Sequence, residues 1–239
     1  IGEEFGIGDA GGYVRIEDGN DRLAIELGSG IDLRHGRLVT GLRQNTDVAH
    51  VLAGEEEYVA SAVVLAVPLG VLRNLEFQPA LPTALRTVLA SLRMGQGAKV
   101  AIATGEEPQL FRRQDMDIPA WYWTGLGVGG TVRGAVTGFA GSGEGVSALI
   151  AEPMARLRRA APECDLTGEL VIADWGSDPL AGGCYSVIGP GQRANLAILS
   201  EPFGRVHLAG EHVNGSGTIE GAILSGEAAA GSVMASLVS

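Results

Sequence analysis

The segment Arg205-Val-His-Leu-Ala-Gly-Glu-His-Val-Asn-Gly-Ser-Gly-Thr-Ile-Glu-Gly-Ala-Ile-Leu-Ser-Gly-Glu-Ala-Ala-Ala constrains the chain more than any other. Residues 206–209 are a short apolar run with strand character. Gly210, Asn214, Gly215, Ser216 and Gly217 follow as a small-residue loop, which brings bare backbone N–H groups within reach of a ligand. Beyond it, Ile219, Ala222, Ile223, Ala229, Ala230, Val233, Met234 and Leu237 recur at three- and four-residue spacing. That periodicity predicts a buried helix, packed closely through Gly221 and Gly226. A strand, a glycine-rich turn and a helix N-terminus make an anion site, because unpaired N–H groups and the helix dipole converge there.

Charge and composition narrow the partners. A net charge of -11 argues against nucleic acid, whose recognition needs clustered Lys and Arg. With 46% hydrophobic residues, 239 residues suffice for a large core, in one large domain or two small ones. The 37 glycines are dispersed among apolar runs, a pattern unlike that of a disordered chain. No apolar run is read as approaching the ~20 residues that span a bilayer, so no membrane partner is expected. Cys164 and Cys184 lack metal-ligand spacing and are too few for a disulfide framework, which suits a reducing interior. No basic stretch followed by an apolar one is seen at the start, so a cytoplasmic location is expected.

Along the chain, residues 1–22 are glycine-rich and residues 22–27 predict a short helix ending at Gly28. Residues 31–33 and 38–42 suggest strands around a His35-Gly36 turn, and residues 48–58 a hairpin turning at Ala53-Gly54-Glu55. Ser61-Ala-Val-Val-Leu-Ala-Val67, stopped by Pro68, reads as a strand buried on both faces, as in a parallel sheet. Thr83 is expected to cap a helix carrying Leu85, Val88, Leu89 and Leu92. Residues 98–103, 131–139 and 170–175 read as strands, and residues 146–159 as one helix. There is no internal repeat, and the mixture is α/β with several sheets.

Several enzyme signatures fail. Two G-x-G-x-x-G strings occur, at residues 6–11 and 125–130, but neither is followed by a helical pattern, so neither reads as a dinucleotide fingerprint. No G-x-S-x-G elbow or Walker loop is present, and His35, His50, His207 and His212 lack zinc spacing.

Two further segments stand beside the terminal one. Asp174-Trp-Gly-Ser-Asp-Pro-Leu-Ala-Gly-Gly-Cys184-Tyr185-Ser186, then Pro190-Gly191, lies shortly before it, and Gly95-Gln-Gly-Ala-Lys99-Val-Ala-Ile lies well upstream. Together the three resemble the flavin-containing amine oxidases, the monoamine and polyamine oxidase family. Val67-Pro-Leu-Gly-Val-Leu and Phe77-Gln-Pro-Ala-Leu-Pro82 support the alignment. The resemblance implies an α/β (α+β) two-domain FAD-dependent amine oxidase fold, incomplete. Residues 1–80 and 178–239 would belong to the FAD-binding domain and residues 81–177 to the mixed-sheet substrate domain. It also implies the site. Lys99 would order a water at the flavin N5, and Tyr185 would stand beside the substrate amine. Trp175 would line the flavin, Glu211 would accept from ribityl hydroxyls, and the Gly210 N–H would face the diphosphate. Thr218 and the Ile219 N–H would meet the pyrimidine edge, and the Val39 backbone the adenine. Cys184 falls where the monoamine oxidases attach the flavin covalently, while relatives with Ala there bind FAD without that bond. Both possibilities stand at this point.

The implied reaction is oxidation of an amine C–N bond, with oxygen as acceptor and peroxide as product. A related FAD oxidoreductase, an amino-acid oxidase or a desaturase, is the nearest competing reading. An amino-acid oxidase would need an arginine for the carboxylate, and Arg133 is the candidate. A non-catalytic fragment is the other. The resemblance covers the later part of the family, without its amino-terminal βαβ unit. A second polypeptide supplying that part is therefore expected as a partner, beside a small-molecule amine and oxygen. The chain departs from the family at Thr218, where many members carry Tyr or Trp, and at Glu107-Pro-Gln-Leu-Phe, which replaces Pro-Phe-Trp.

Overall fold

The structure, a computed structural model, describes residues 16, 19–126 and 131–238. Its apolar side chains gather into two cores drawn from different stretches of the chain.

The first core joins the early part of the chain to its end. α1 (Asp21–Leu27) stops at Gly28 as its sequence predicts and buries nothing. β1 (Gly41–Gln44), β2 (Ala49–Ala53) and β3 (Glu56–Ala60) form an antiparallel meander, which β5 (Glu76–Gln78) extends in parallel beside β1. Gly54 turns the β2–β3 hairpin at φ +64°, a conformation that costs glycine little. Residues 31–33 are not a strand, and the strand expected from residue 38 starts at Gly41. Leu33 and Leu38 remain exposed, so no packing face holds that stretch extended.

β4 (Val63–Leu65) pairs in parallel with β13 (Val206–Leu208). The expected longer strand, buried on both faces, is not found: Val64 is 41% exposed although its partner His207 is buried, because β4 has a strand neighbour on one side alone among the described residues. α2 (Leu69–Leu72), α3 (Thr83–Ser91) and α6 (Asn195–Ser200) fill the core with Leu69, Leu72, Leu85, Val88, Leu89 and Leu199. Thr83 is the first residue of α3 and makes no capping bond, since Pro82 occupies the N-cap.

The second core lies under a five-stranded antiparallel sheet in the order β11-β7-β10-β9-β8. Its strands are β7 (Ala98–Ala103), β8 (Arg112–Gln114), β9 (Ala120–Leu126), β10 (Val132–Ala140) and β11 (Val171–Asp174). Alternation decides the faces: Ala98, Val100 and Ile102 point inward with Ala120 and Tyr122, whereas Lys99 and Trp121 point outward. α4 (Gly143–Ala151) and α5 (Pro153–Ala160) pack against the inner face through Val146, Leu149 and Leu157. The single helix expected over residues 146–159 is two, because Pro153 lacks an N–H and is placed at the start of α5.

Tyr122 is fully buried, and its hydroxyl donates to Asp115, which also accepts the Asp117 and Ile118 N–H groups and pairs with Arg156. Burial, then the Asp115 charge, push the phenol pKa up, so Tyr122 stays a neutral donor. Gly125 and Leu126, the start of the second G-x-G-x-x-G string, are the last residues of β9. Residues 127–130 lie outside the described residues, as does the string at residues 6–11.

α7 (Glu211–Asn214) and α8 (Ile219–Val238) close the chain. α8 is not the buried helix its periodicity suggests. Only Gly221, Ser225 and Ala229 are buried, while Ile219, Leu224, Met234 and Leu237 are at least half exposed. It is also long and apolar enough, by length and composition alone, to cross a membrane, which the reading of short apolar runs missed. Of its two glycines expected in close contact, Gly221 is crowded and Gly226 faces open space.

Glycine substitutions separate tight from open positions. A Cβ at Gly138 would stand 2.8 Å from Tyr122 Cε1 and 2.9 Å from Val100 Cγ2, so Gly138→Ala should lose about 1–3 kcal/mol of stability. Gly226→Ala should instead gain up to about 1 kcal/mol through helix propensity. Urea unfolding of both variants checks the opposite signs.

Candidate functional site

Two loops at the same end of the sheet meet at the site, one leading into β7 and one leaving the antiparallel β11. The Gly95 N–H donates to Tyr185 O at 2.7 Å, and the Cys184 N–H donates to Gly95 O at 2.9 Å. The Trp175 N–H reaches Gly97 O at 3.3 Å, and the Gly183 N–H reaches Trp175 O at 2.8 Å. β6 (Arg93–Met94) and β12 (Ser186–Val187) continue this pairing as a short antiparallel ladder. The approach requires glycine. A Cβ on Gly97 would lie 3.2 Å from both Cβ and Sγ of Cys184, and one on Gly183 would lie 2.5 Å from Met94 Cβ. Lys99, Trp175, Cys184 and Tyr185 are thereby brought together, with Lys99 Nζ 5.9 Å from the Trp175 ring centroid. Cys184 is half-buried, and burial raises its thiol pKa, keeping it protonated in this state.

The terminal segment approaches from the other side. Glu211, at the start of α7, takes the Ser186 N–H at 2.9 Å on Oε1 and the Ser186 hydroxyl at 2.7 Å on Oε2. Its expected ribityl partners would thus share oxygens that already bind Ser186. The Gly210 N–H, expected to face a diphosphate, donates to Ser225 Oγ of α8 at 3.2 Å instead, fixing the joint between α7 and α8. Gly215 and Gly217 take φ of +78° and +65°, and a Cβ on Gly217 would stand 3.8 Å from the Tyr185 ring. The loop therefore lies against Tyr185.

Thr218 has a local role its sequence position does not reveal. Its Oγ1 accepts the Gly221 N–H at 3.1 Å, the N-cap arrangement, and contacts Ser216 Oγ at 2.9 Å. Helix geometry gives the first-turn amides of Ile219 and Glu220 no intrahelical acceptor, so the positive end of α8 opens beside Tyr185. Val39 is not part of this cluster; it is half-buried against the first core. The buried His212 Nε2 has no hydrogen-bond partner among the described residues, and burial lowers the pKa of its ring.

The sheet adds two residues that sequence reading missed. Phe139 is paired with Lys99 on one side and with Trp121 on the other, and the two rings stack at 6.4 Å with a 23° tilt. Trp121 is 42% exposed, so Lys99 sits beside an uncovered aromatic wall. The period-two pattern of Trp121 and Trp123 marks the face, but only cross-strand register places it next to Lys99.

This arrangement has known counterparts. A family model described as "Flavin containing amine oxidoreductase" matches residues 4–234. The (S)-6-hydroxynicotine oxidase of Paenarthrobacter nicotinovorans is 30% identical over 208 residues, covering 85% of this chain and 48% of that protein. Probable polyamine oxidase 4 of Arabidopsis thaliana is 26% identical over 239 residues, covering 92% of this chain and 48% of that protein. Among solved structures, cyclohexylamine oxidase from Brevibacterium oxydans IH-35A shares the fold with a TM-score of 0.70 at 23% identity, over 84% of this chain and 49% of that one. Wild-type putrescine oxidase bound to putrescine gives a TM-score of 0.73 at 22% identity, over 90% of this chain and 51% of that one. The chain spans about half the length of the curated relatives it matches. The matched stretch takes in both cores and every loop of the site, so this chain belongs to the flavin-containing amine oxidoreductases and has their mixed α/β fold over about half the length of a member.

Proposed function

We propose that this chain supplies the flavin-facing and amine-facing part of an FAD-dependent amine oxidase. The observation that carries the reading is the meeting of Lys99, Trp175, Cys184 and Tyr185 with the Gly215–Thr218 loop at the open end of α8. The described residues fit the flavin end of FAD. The first-turn amides of α8, open beside Tyr185, suit the anionic edge of its ring. When bound, FAD would supply a two-electron acceptor for the hydride on the carbon beside the amine nitrogen, with oxygen as the final acceptor and imine and hydrogen peroxide as the products.

The protein's own tasks are positional. Lys99 orders water on the amine-facing side, Tyr185 orients the amine and shields it from solvent, and Ser186 holds Glu211 so that α7 stays in place. No general base is required if the amine reacts in its neutral form.

We further propose that the first core belongs to the FAD-binding domain and the second to the substrate domain, and that the active protein includes a further segment. The relatives' greater length supports this, as do the uncovered apolar face of α8 and the two-stranded β4–β13 sheet. A pair of parallel strands is marginal without neighbours or cover on both faces. A dinucleotide site closed by that segment alone would leave the isolated chain a poor binder. Its FAD affinity should be at least ~100-fold below that of the complemented protein, about 2.7 kcal/mol. Submicromolar FAD binding by the purified 239-residue chain would refute this.

In the complemented protein, Lys99→Met should slow flavin reduction or its reoxidation at least ~10-fold, about 1.4 kcal/mol, while FAD stays bound. Stopped-flow absorbance measures the two half-reactions separately, and unchanged rates in both would remove Lys99 from the site.

Cys184 separates covalent from noncovalent binding. A thioether to the flavin would survive acid precipitation and raise the chain mass by that of FAD less two hydrogens. Cys184→Ala would then release its flavin on acid treatment. Free flavin recovered from acid-treated wild-type protein would assign Cys184 to packing against Gly95 and Gly97.

A further inference from the structure

Beside Tyr185 opens a cleft of about 690 Å³, within the roughly 300–1,000 Å³ typical of ligand sites. Its walls include Ser186, Ile188, Ser216 and Gly217, and its one charged lining residue is Arg193. In a chain with 28 acidic and 17 basic residues, a cleft without a carboxylate in its lining is a local reversal of charge. Glu211, whose two oxygens are each held by a Ser186 donor, is not part of the lining. Arg193 makes no ion pair among the described residues and is exposed. Its backbone is nevertheless fixed. Gly191 turns the chain at φ +77° into a 3-10 helix, Gln192–Ala194. The Gln192 side chain ties that helix down, taking the Gly189 N–H at 2.7 Å and donating to Ser91 O at 3.1 Å.

We propose that Arg193 is a specificity residue for substrates that carry a carboxylate as well as an amine. This rests on the amine oxidase reading and names its substrate class. A guanidinium presents a planar fork that meets a carboxylate with two parallel hydrogen bonds, and it repels the ammonium of a simple cationic amine. An amino acid or similar amino carboxylate has both ends: the acid meets Arg193 and the amine meets Tyr185 in the same cleft. Arg133, the arginine that sequence suggested for this task, is on β10 and does not line the cleft.

The test has two arms. In the first, phenylacetate is titrated into the purified chain and into Arg193→Gln and Arg193→Lys variants, followed by tryptophan fluorescence and calorimetry. Arg193→Gln should weaken binding at least 10-fold, and Arg193→Lys should restore it in part. Absence of binding to wild type, or equal binding by all three, overturns the proposal. In the second arm, flavin reduction in the complemented protein is compared for phenylalanine and 2-phenylethylamine. Wild type should favour phenylalanine, and Arg193→Gln should lower that preference at least 10-fold through KM. A preference that Arg193→Gln leaves unchanged overturns the proposal. Arginine-dependent phenylacetate binding without flavin reduction by either amine would uphold the carboxylate subsite and reject the oxidase reading instead.

Discussion

The clamp between the Gly95–Gly97 loop and the stretch from Trp175 to Tyr185 is the contact on which the site depends. Three backbone hydrogen bonds link the two. Each contributes only about 0.5–1.5 kcal/mol net, but each is directional, and together they fix the relative position of segments some eighty residues apart. The glycines set the distance. With a side chain at residue 97 or 183 the backbones would separate, and Tyr185 would move away from the Gly217 loop. The outward row of the sheet makes the rest follow: Lys99 is two residues beyond Gly97, and Phe139 and Trp121 follow from register.

The second constraint is the junction at Glu211. One carboxylate joins β12 to α7 through both Ser186 donors, and the Gly210 N–H joins α7 to α8 through Ser225. Strand, short helix and long helix therefore turn as a unit about Gly210, whose φ of +137° favours glycine. Thr218 completes the corner by capping α8. A large aromatic there could wall an amine but could not accept the Gly221 N–H. The departure from the family pattern thus exchanges a pocket wall for a firmer helix start.

Local signals made much of this legible in the sequence. β7 ends where its apolar run ends, α1 stops at its glycine, and the terminal segment runs from strand to long helix as the residues suggest, although the short helix α7 occupies part of the expected loop. Errors arose where a local pattern has a tertiary answer. Apolar residues at helical spacing in α8 read as burial, but spacing gives a face and not what covers it. Residues 61–67 look like a central strand, yet only Val63–Leu65 find a partner. Pro153 was the visible signal that the helix over residues 146–159 must break. Arg193 and the aromatic pair beside Lys99 had no local signal, because cleft membership and register join residues distant in sequence.

Charge acts at two ranges around this site. The net charge of -11 draws cationic amines toward the protein, but exposed charges are screened within about 8 Å at physiological salt. Around the site itself stand the Lys99 ammonium, the Arg193 guanidinium, the open N-terminus of α8 and the Glu211 carboxylate, the last already engaged by Ser186. The first three favour negative charge. A purely cationic substrate would gain from the far field and lose in the near one, whereas an amino carboxylate would reverse its preferred end as it enters. Under the proposed specificity the acid would settle at the positive groups and leave the amine beside Tyr185, where the same positive surroundings would ease loss of its proton.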